Sequence, residues 1–157
     1  GSVVPLFINN YKGILDVTHK DMTRFNITLK DAIDMVFWSL VNNIGGEVFV
    51  PKIKSYRILD LVKAIDKKSK VNFIGMRPGE KIYEELISKA DSYNTFDLGK
   101  YFSIVDKNLL KILKNYKKNT IKKVPFNFEY NSSNNPDFLT VKQLQKLISE
   151  YKKIYNK

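Results

Sequence analysis

The sequence predicts an α/β fold built from short strands and several helices, about one domain in size. Three observations carry that expectation. Apolar residues at helical spacing alternate with short β-leaning runs. Glycine or proline closes most of those runs. A chain of 157 residues, 43% hydrophobic, is long and apolar enough for a packed core and too apolar for a disordered segment.

In order, Val3 to Tyr11 reads as a short helix with Pro5 in its first turn, where the missing N–H is harmless, and Gly13 ends it. Ile14 to Thr18 is a short extended piece, and Phe25 to Thr28 leads into the clearest helix of the chain. Thr28 is its candidate N-cap. Leu29, Ala32, Ile33, Val36, Phe37, Leu40, Val41 and Ile44 then step by threes and fours, which predicts one buried face, and Gly45-Gly46 stops the helix. Trp38 falls off that stripe. Glu47 to Val50 reads as a strand closed by Pro51. Arg57 to Lys67 repeats the helical pattern through Ile58, Leu61, Val62 and Ile65, and Val71 to Ile74 is a strand closed by Gly75. Strand, helix and strand from Val48 to Ile74 suggest a parallel crossover. Further on, Thr95 to Leu98 and Tyr101 to Val105 lean towards strand. A lysine-rich helix carries Leu109, Leu110, Ile112 and Leu113, and Phe126 to Pro136 is a loop. Thr140 and Gln143 form a capping box that opens a last helix through Leu144, Leu147, Ile148 and Tyr151.

Composition removes several function classes. The chain has no cysteine, so thiolate chemistry, disulfides and zinc ribbons are excluded. Its one histidine, His19, excludes a two-histidine metalloprotease motif, and no metal site is expected. No apolar run approaches the ~20 residues of a membrane span, and no signal peptide precedes a cleavage site. No membrane partner is therefore expected, and the expected compartment is the cytoplasm. The net charge of +11 comes from 24 lysines and only three arginines against 16 acids. Lys, Ile and Asn together supply 55 residues, the bias an AT-rich coding sequence leaves on a solvated surface; a functional polyanion site is the other reading of the charge. Seven lysines, from Lys107 to Lys123, follow Asp106 with no intervening acid. Tyr116 alone among them does not make the aromatic platform that single-stranded nucleic acid needs.

In a chain so poor in arginine, the arginine positions are informative. Ile74-Gly75-Met76-Arg77-Pro78-Gly79-Glu80-Lys81 places an arginine in a Pro-Gly turn where a strand ends, the position where α/β folds bind ligands. Pro78 restricts Arg77 to extended backbone, and the planar guanidinium suits phosphate oxygens. The bland reading is a surface turn with an ion pair to Glu80. Met22-Thr23-Arg24-Phe25 places a second arginine before the capped helix, for which the bland reading is a salt bridge with Asp31. Arg57 and His19 read as solvated surface. Glu84 and Glu85 would point apart. Asp66-Lys67 and Asp106-Lys107 read as structural. No Gly-x-Gly-x-x-Gly stands in the chain, and none of its nine tyrosines has a lysine four positions on.

Taken together, Gly1-Ser2-Val3-Val4-Pro5-Leu6-Phe7, Met22-Thr23-Arg24-Phe25-Asn26-Ile27-Thr28-Leu29, Gly46-Glu47-Val48-Phe49-Val50-Pro51-Lys52-Ile53, Gly75 to Lys81 and Tyr130-Asn131-Ser132-Ser133-Asn134-Asn135-Pro136 occur in an order that resembles one family. The resemblance is to the carboxyl-terminal half of the inverting UDP-N-acetylglucosamine 4,6-dehydratases. These are extended short-chain dehydrogenase/reductases of polysaccharide and pseudaminic acid synthesis. It spans nearly the whole chain. It departs at the lysine-rich segment 106–123, which looks like an insertion, and at Asn26, where the family commonly has an aromatic residue.

The resemblance implies a single substrate-binding domain over 1–157, without the full Rossmann sheet. In the family, the NADP loop, the Asp-Lys pair and the Tyr-x-x-x-Lys lie upstream of the Gly-Ser-Val segment. This chain alone would then hold no catalytic residue and no NADP site and would be inactive, as a fragment or the product of a truncated gene. Its partners would be a UDP-sugar, an upstream Rossmann half and further copies of itself. By the same resemblance Arg24 and Arg77 hold the UDP diphosphate, and Glu80 shares the Arg77 motif. Val3 and Pro5 wall the nucleotide, Val17 and Thr18 lie beside the uracil, and Tyr130, Asn131, Ser132, Ser133 and Asn134 close over the ligand. The family reaction oxidises C4 with NADP, eliminates water across C5–C6 and returns hydride with inversion at C5. Trp38 and the Val3–Phe7 segment are the expected surface for the Rossmann half. The alternatives are a basic module for nucleic acid or another polyanion, and a truncated fragment without function.

Overall fold

A computed structural model describes residues 3–106 and 121–155; the apolar positions expected in a lysine-rich helix at 109–113 lie outside them. In chain order the elements are α1 (Val3–Asn10), β1 (Ile14–Val17), β2 (Thr23–Asn26), α2 (Leu29–Asn42), β3 (Val48–Pro51), β4 (Lys54–Arg57) and α3 (Ile58–Ile65). They continue with β5 (Lys70–Phe73), β6 (Glu85–Ile87), a 3-10 turn at Asp91–Asn94, β7 (Thr95–Asp97), β8 (Tyr101–Ile104), β9 (Lys122–Lys123), β10 (Tyr130–Asn131) and α4 (Val141–Tyr155). The strands are short, as expected; they are mixed in direction, and no extended parallel sheet forms among the described residues. Packing divides the chain into two compact units. One comprises Gly1–Phe25, Lys54–Glu84 and Asn135–Lys157; the other comprises Asn26–Ile53 and Glu85–Asn134.

The first unit is built on α3. Its apolar residues Ile58, Leu61, Val62 and Ile65 recur at helical spacing, and the first three are almost wholly buried. They form one core with Phe7, Leu15, Val17, Met22, Tyr56, Leu139, Leu144 and Ile148. Burying each such aliphatic side chain contributes ~1.5–3 kcal/mol. β1 runs parallel to β5, from Ile14 beside Lys70 to Val17 beside Phe73. β2 lies beside β4. Helix α4 is fixed through its lead-in: Ser55 N–H donates to the Asp137 carbonyl (2.9 Å), Leu139 N–H to the Ser55 carbonyl (2.8 Å), and Asn135 Nδ2 to Ser55 Oγ (2.9 Å). The Thr140–Gln143 capping box forms as expected, with Thr140 N–H donating to Gln143 Oε1 at 2.9 Å and Gln143 N–H to Thr140 Oγ1 at 3.3 Å. Asp66 is structural, accepting from the Tyr11 hydroxyl and the Lys68 N–H.

The second unit holds the antiparallel sheet β3-β8-β7-β9 and the separate pair β10-β6. Val50, Ile87, Tyr101, Phe102, Val105, Val124 and Tyr130 are buried there. Phe102 packs against Phe128 and Tyr130 with ring centres 5.4 Å apart in each pair.

Two expectations are corrected. The crossover from Val48 to Ile74 does not exist, because β3 pairs antiparallel with β8 while β5 pairs parallel with β1. The missed strand β4 lies between β3 and α3, and with it the chain leaves one unit for the other. Secondly, α2 starts at its cap as expected, with Thr28 and Asp31 in a reciprocal capping box, yet buries none of its residues. Its periodic stripe faces outwards, with Phe37 66%, Leu40 73% and Val41 85% exposed. Trp38, the residue off the stripe, is the one that packs inwards, 5.0 Å from Phe49 and 4.5 Å from Tyr101 between ring centres. The apolar periodicity is present, but the buried face it predicted is not: nothing among the described residues covers it.

Candidate functional site

A cavity of about 360 Å³ opens within the first unit, inside the usual size range of ligand pockets, roughly 300–1,000 Å³. Val3, Leu6 and Phe7 of α1 form one wall. Asp16, Val17 and Thr18 follow from the end of β1, and Met22, Arg24 and Phe25 come from β2 and its lead-in. Tyr56, Ile58, Ile74, Arg77, Glu80 and Glu84 complete the lining. The residues after β1 and β5, two adjacent parallel strands, thus face the same space. Ligands of open α/β sheets bind at this end of the strands.

Arg77 is presented by a turn that its own sequence dictates. Glu80 N–H donates to the Arg77 carbonyl at 3.0 Å, Pro78 holds the first central position, and Gly79 takes φ 80° at the second. That is a type II turn, which favours proline then glycine at those two places. The Glu80 carboxylate accepts the Arg77 backbone N–H at 3.1 Å. The anticipated ion pair between the two side chains does not form. The Arg77 guanidinium makes no hydrogen bond or ion pair with any described residue, so its whole fork is available to the cavity.

Arg24 is held differently. Its Nη1 donates to the Thr23 carbonyl (2.7 Å) and the Ile82 carbonyl (3.2 Å), and its Nη2 to Met22 Sδ (3.2 Å). Its Nε lies 3.7 Å from Glu84 Oε1, with the Arg24 side chain only 18% exposed. Asp31, the partner expected for Arg24, is committed to the α2 cap instead. Glu84 also accepts the Phe25 N–H at 3.0 Å, which ties it to β2. Arg24 is therefore a fixed cation with few free donors, whereas Arg77 is an exposed cation with all of them. The other carboxylate of the lining, Asp16, accepts from Asn72 at 2.8 Å.

Of the residues expected at a ligand site, Val3, Val17, Thr18, Arg24, Arg77 and Glu80 line this one cavity. Pro5 sits in the first turn of α1 and is not in the lining. Tyr130 to Asn134 belong to the second unit. There the buried Tyr130 hydroxyl donates to the Ile53 carbonyl (2.8 Å) and accepts the Ile53 N–H (2.9 Å). Asn131 Oδ1 accepts from the N–H groups of Ser133 (3.0 Å) and Asn134 (2.9 Å), shaping a turn in which Ser132 is wholly buried. Sequence reasoning missed Tyr56 and Glu84. Tyr56 stands on a strand too short to show alternation. Glu84 reads in the sequence only as half of a pair with Glu85, which begins β6 in the other unit.

Comparison with known proteins agrees with the motif order. The family described as polysaccharide biosynthesis protein matches residues 1–106. The chain belongs to this family. Similar proteins include an inverting UDP-N-acetylglucosamine 4,6-dehydratase of Campylobacter jejuni serotype O:2, 36% identical over 95% of this chain and 47% of that protein. They also include a UDP-glucose 4-epimerase of Rickettsia akari, 37% identical over 94% of this chain and 45% of that protein. Among solved structures, Pen from Bacillus thuringiensis superposes with a TM-score of 0.77 at 29% identity, over 97% of this chain and 46% of its own. The chain thus spans about half the length of the relatives it matches. The resemblance read from the arginine motifs is borne out at the level of the family.

The dehydratase resemblance also brings NADP, and the residues present do not fit it. A dinucleotide loop needs glycines between a strand and the following helix. In this chain the strand-to-helix steps β2–α2, β4–α3 and β10–α4 contain no glycine; Gly75 and Gly79 instead connect β5 to β6.

Proposed function

We propose that this chain is the UDP-sugar-binding part of a nucleotide-sugar 4,6-dehydratase that acts on UDP-N-acetylglucosamine. The carrying observation is the pairing, in one cavity, of a fixed Arg24 and an unengaged Arg77 fork beside the apolar wall of Val3 and Val17. Two cations match the two charges of a diphosphate, and each charge-assisted contact is worth ~1.5–3 kcal/mol. The apolar wall suits the nucleoside. The oxidation at C4, the elimination and the inversion at C5 fall to residues and NADP outside this chain. A UDP-glucose 4-epimerase is the second reading, supported by the epimerases among the relatives.

The partner surface for the remainder of such an enzyme is the outward stripe of α2 rather than Trp38, which is already packed in its own unit. A shallow apolar groove lies along the same helix, between Met35, Val36, Ser39, Leu40, Asn43, Glu47 and Phe49. Large exposed apolar patches are uncommon on monomers, so the isolated chain should self-associate through this face. Leu40→Glu, at a position 73% exposed, should reduce association in sedimentation velocity without lowering the melting temperature. Association unchanged by that charge would assign the contact elsewhere.

The purified chain, given UDP-N-acetylglucosamine and NADP and followed by NMR, should show no turnover. A general base and a hydride acceptor are both required, and this chain supplies no dinucleotide loop. Adding the separately prepared remainder of a related enzyme should restore turnover. A 4-keto-6-deoxy product would support the dehydratase reading, and a C4 epimer of the substrate the second. Turnover by the chain alone would overturn the half-enzyme reading.

A further inference from the structure

We infer that the Tyr56 hydroxyl is a third donor to the anionic phosphoryl oxygens of a nucleoside diphosphate, beside Arg24 and Arg77. This rests on the UDP-sugar reading of the same cavity and adds to it a neutral recognition residue that no sequence motif announced. Tyr56 is only 4% exposed and lines the cavity. Its hydroxyl forms no hydrogen bond with any described residue. Nor is its oxygen among the fully enclosed atoms that lack a partner, which among the described residues are Asn94 Oδ1 and Ser103 Oγ. The hydroxyl therefore keeps some open surface, on a side chain that lines the cavity.

A hydroxyl with no protein partner, on a side chain that is almost wholly buried, gives up part of its hydration and gains no bond within the chain. Phenylalanine would fill the same space without that cost. The position of Tyr56 supplies a use for the oxygen. It stands on β4, the strand beside β2, which carries Arg24. The charges of Glu84 and Arg24 both reach its hydroxyl, and burial, the larger influence, pushes its pKa up to about 12. The phenol thus stays protonated near neutral pH and can donate. Glu84 already takes the Phe25 N–H and faces Arg24. Arg24 has spent most of its N–H groups on two carbonyls and a sulfur. An anion drawn to Arg24 by charge must find its hydrogen bonds nearby, and Tyr56 offers one. Arg24 then acts mainly through charge, Tyr56 through a directed O–H, and Arg77 through its fork.

The test is Tyr56→Phe in the 157-residue chain, titrated by calorimetry with UDP and, separately, with uridine. UDP affinity should fall roughly 10- to 100-fold, the effect of losing one hydrogen bond to a charged acceptor. Uridine affinity should not change, because uridine has no phosphate. The melting temperature without ligand should stay level or rise, since the variant removes only an unpaired hydroxyl. Unchanged UDP affinity would overturn the inference. So would a parallel loss for UDP and uridine, or a lower melting temperature, since either gives the hydroxyl a structural role. Arg77→Ala separates this inference from the reading beneath it. If Arg77→Ala weakens UDP binding and Tyr56→Phe does not, only the Tyr56 assignment falls. If the parent chain binds no UDP, both fall.

Discussion

Arg77→Ala should weaken UDP binding by roughly 10- to 100-fold while leaving the melting temperature unchanged. The size follows from losing a charge-assisted, two-pronged contact, ~1.5–3 kcal/mol. The unchanged stability follows from the free protein, where the guanidinium bonds to no described residue and the turn is held by backbone, Pro78 and Gly79. Arg77→Lys should recover only part of the loss, because an ammonium lacks the fork. Arg24→Ala should weaken binding as well, but through a second route. Its side chain bridges the Thr23 and Ile82 carbonyls and faces Glu84. Its removal leaves that carboxylate facing an anionic ligand without its cation, and should also lower the melting temperature. Calorimetric titration together with thermal unfolding separates the two patterns. Equal affinity in both variants and the parent would refute the diphosphate assignment.

Leu61→Ala should destabilise the first unit by ~2–5 kcal/mol, the usual range for a fully buried leucine. Leu61 has no exposed surface and lies within the core of α3, α4 and β1. That cost is a large fraction of a domain's typical 5–15 kcal/mol, so the cavity built on this core should be lost well below the parent's unfolding temperature. Lys63→Ala, two residues along the same helix with its side chain 63% exposed, should change stability by less than ~0.5 kcal/mol. Urea unfolding of both variants checks the contrast. A Leu61→Ala protein as stable as the parent would show that α3 is not the centre of this core.

The helices were legible because their signals are local. Thr28 with Asp31, Thr140 with Gln143, and the apolar spacing of Ile58, Leu61 and Val62 each specify a start or a face within a few residues. The arginine turn was legible for the same reason, since Pro78 and Gly79 dictate one turn type and so the exit of Arg77. Strand pairing was not legible. β3 and β5 are both four-residue strands, but one partner is β8 and the other β1, and nothing within four residues encodes that choice. Alternation could not reveal β2 or β4, which are four residues each and pair across the chain. The α2 stripe shows a further limit. Periodicity tells that a face is apolar, but not whether its cover belongs to the same chain. Tyr56 is not legible in the sequence, because a hydroxyl left without a protein partner on a nearly buried side chain is a property of three dimensions only.

The most direct test is a two-dimensional amide NMR titration of the 157-residue chain with UDP. Saturable one-to-one binding should shift the amides of Thr18, Arg24, Tyr56 and Arg77, all at the cavity of the first unit. An unrelated polyanion such as heparin should not reproduce that pattern. No saturable shift, or shifts confined to Lys107–Lys123 and shared with heparin, would contradict a nucleotide-sugar site and favour a polyanion-binding module instead.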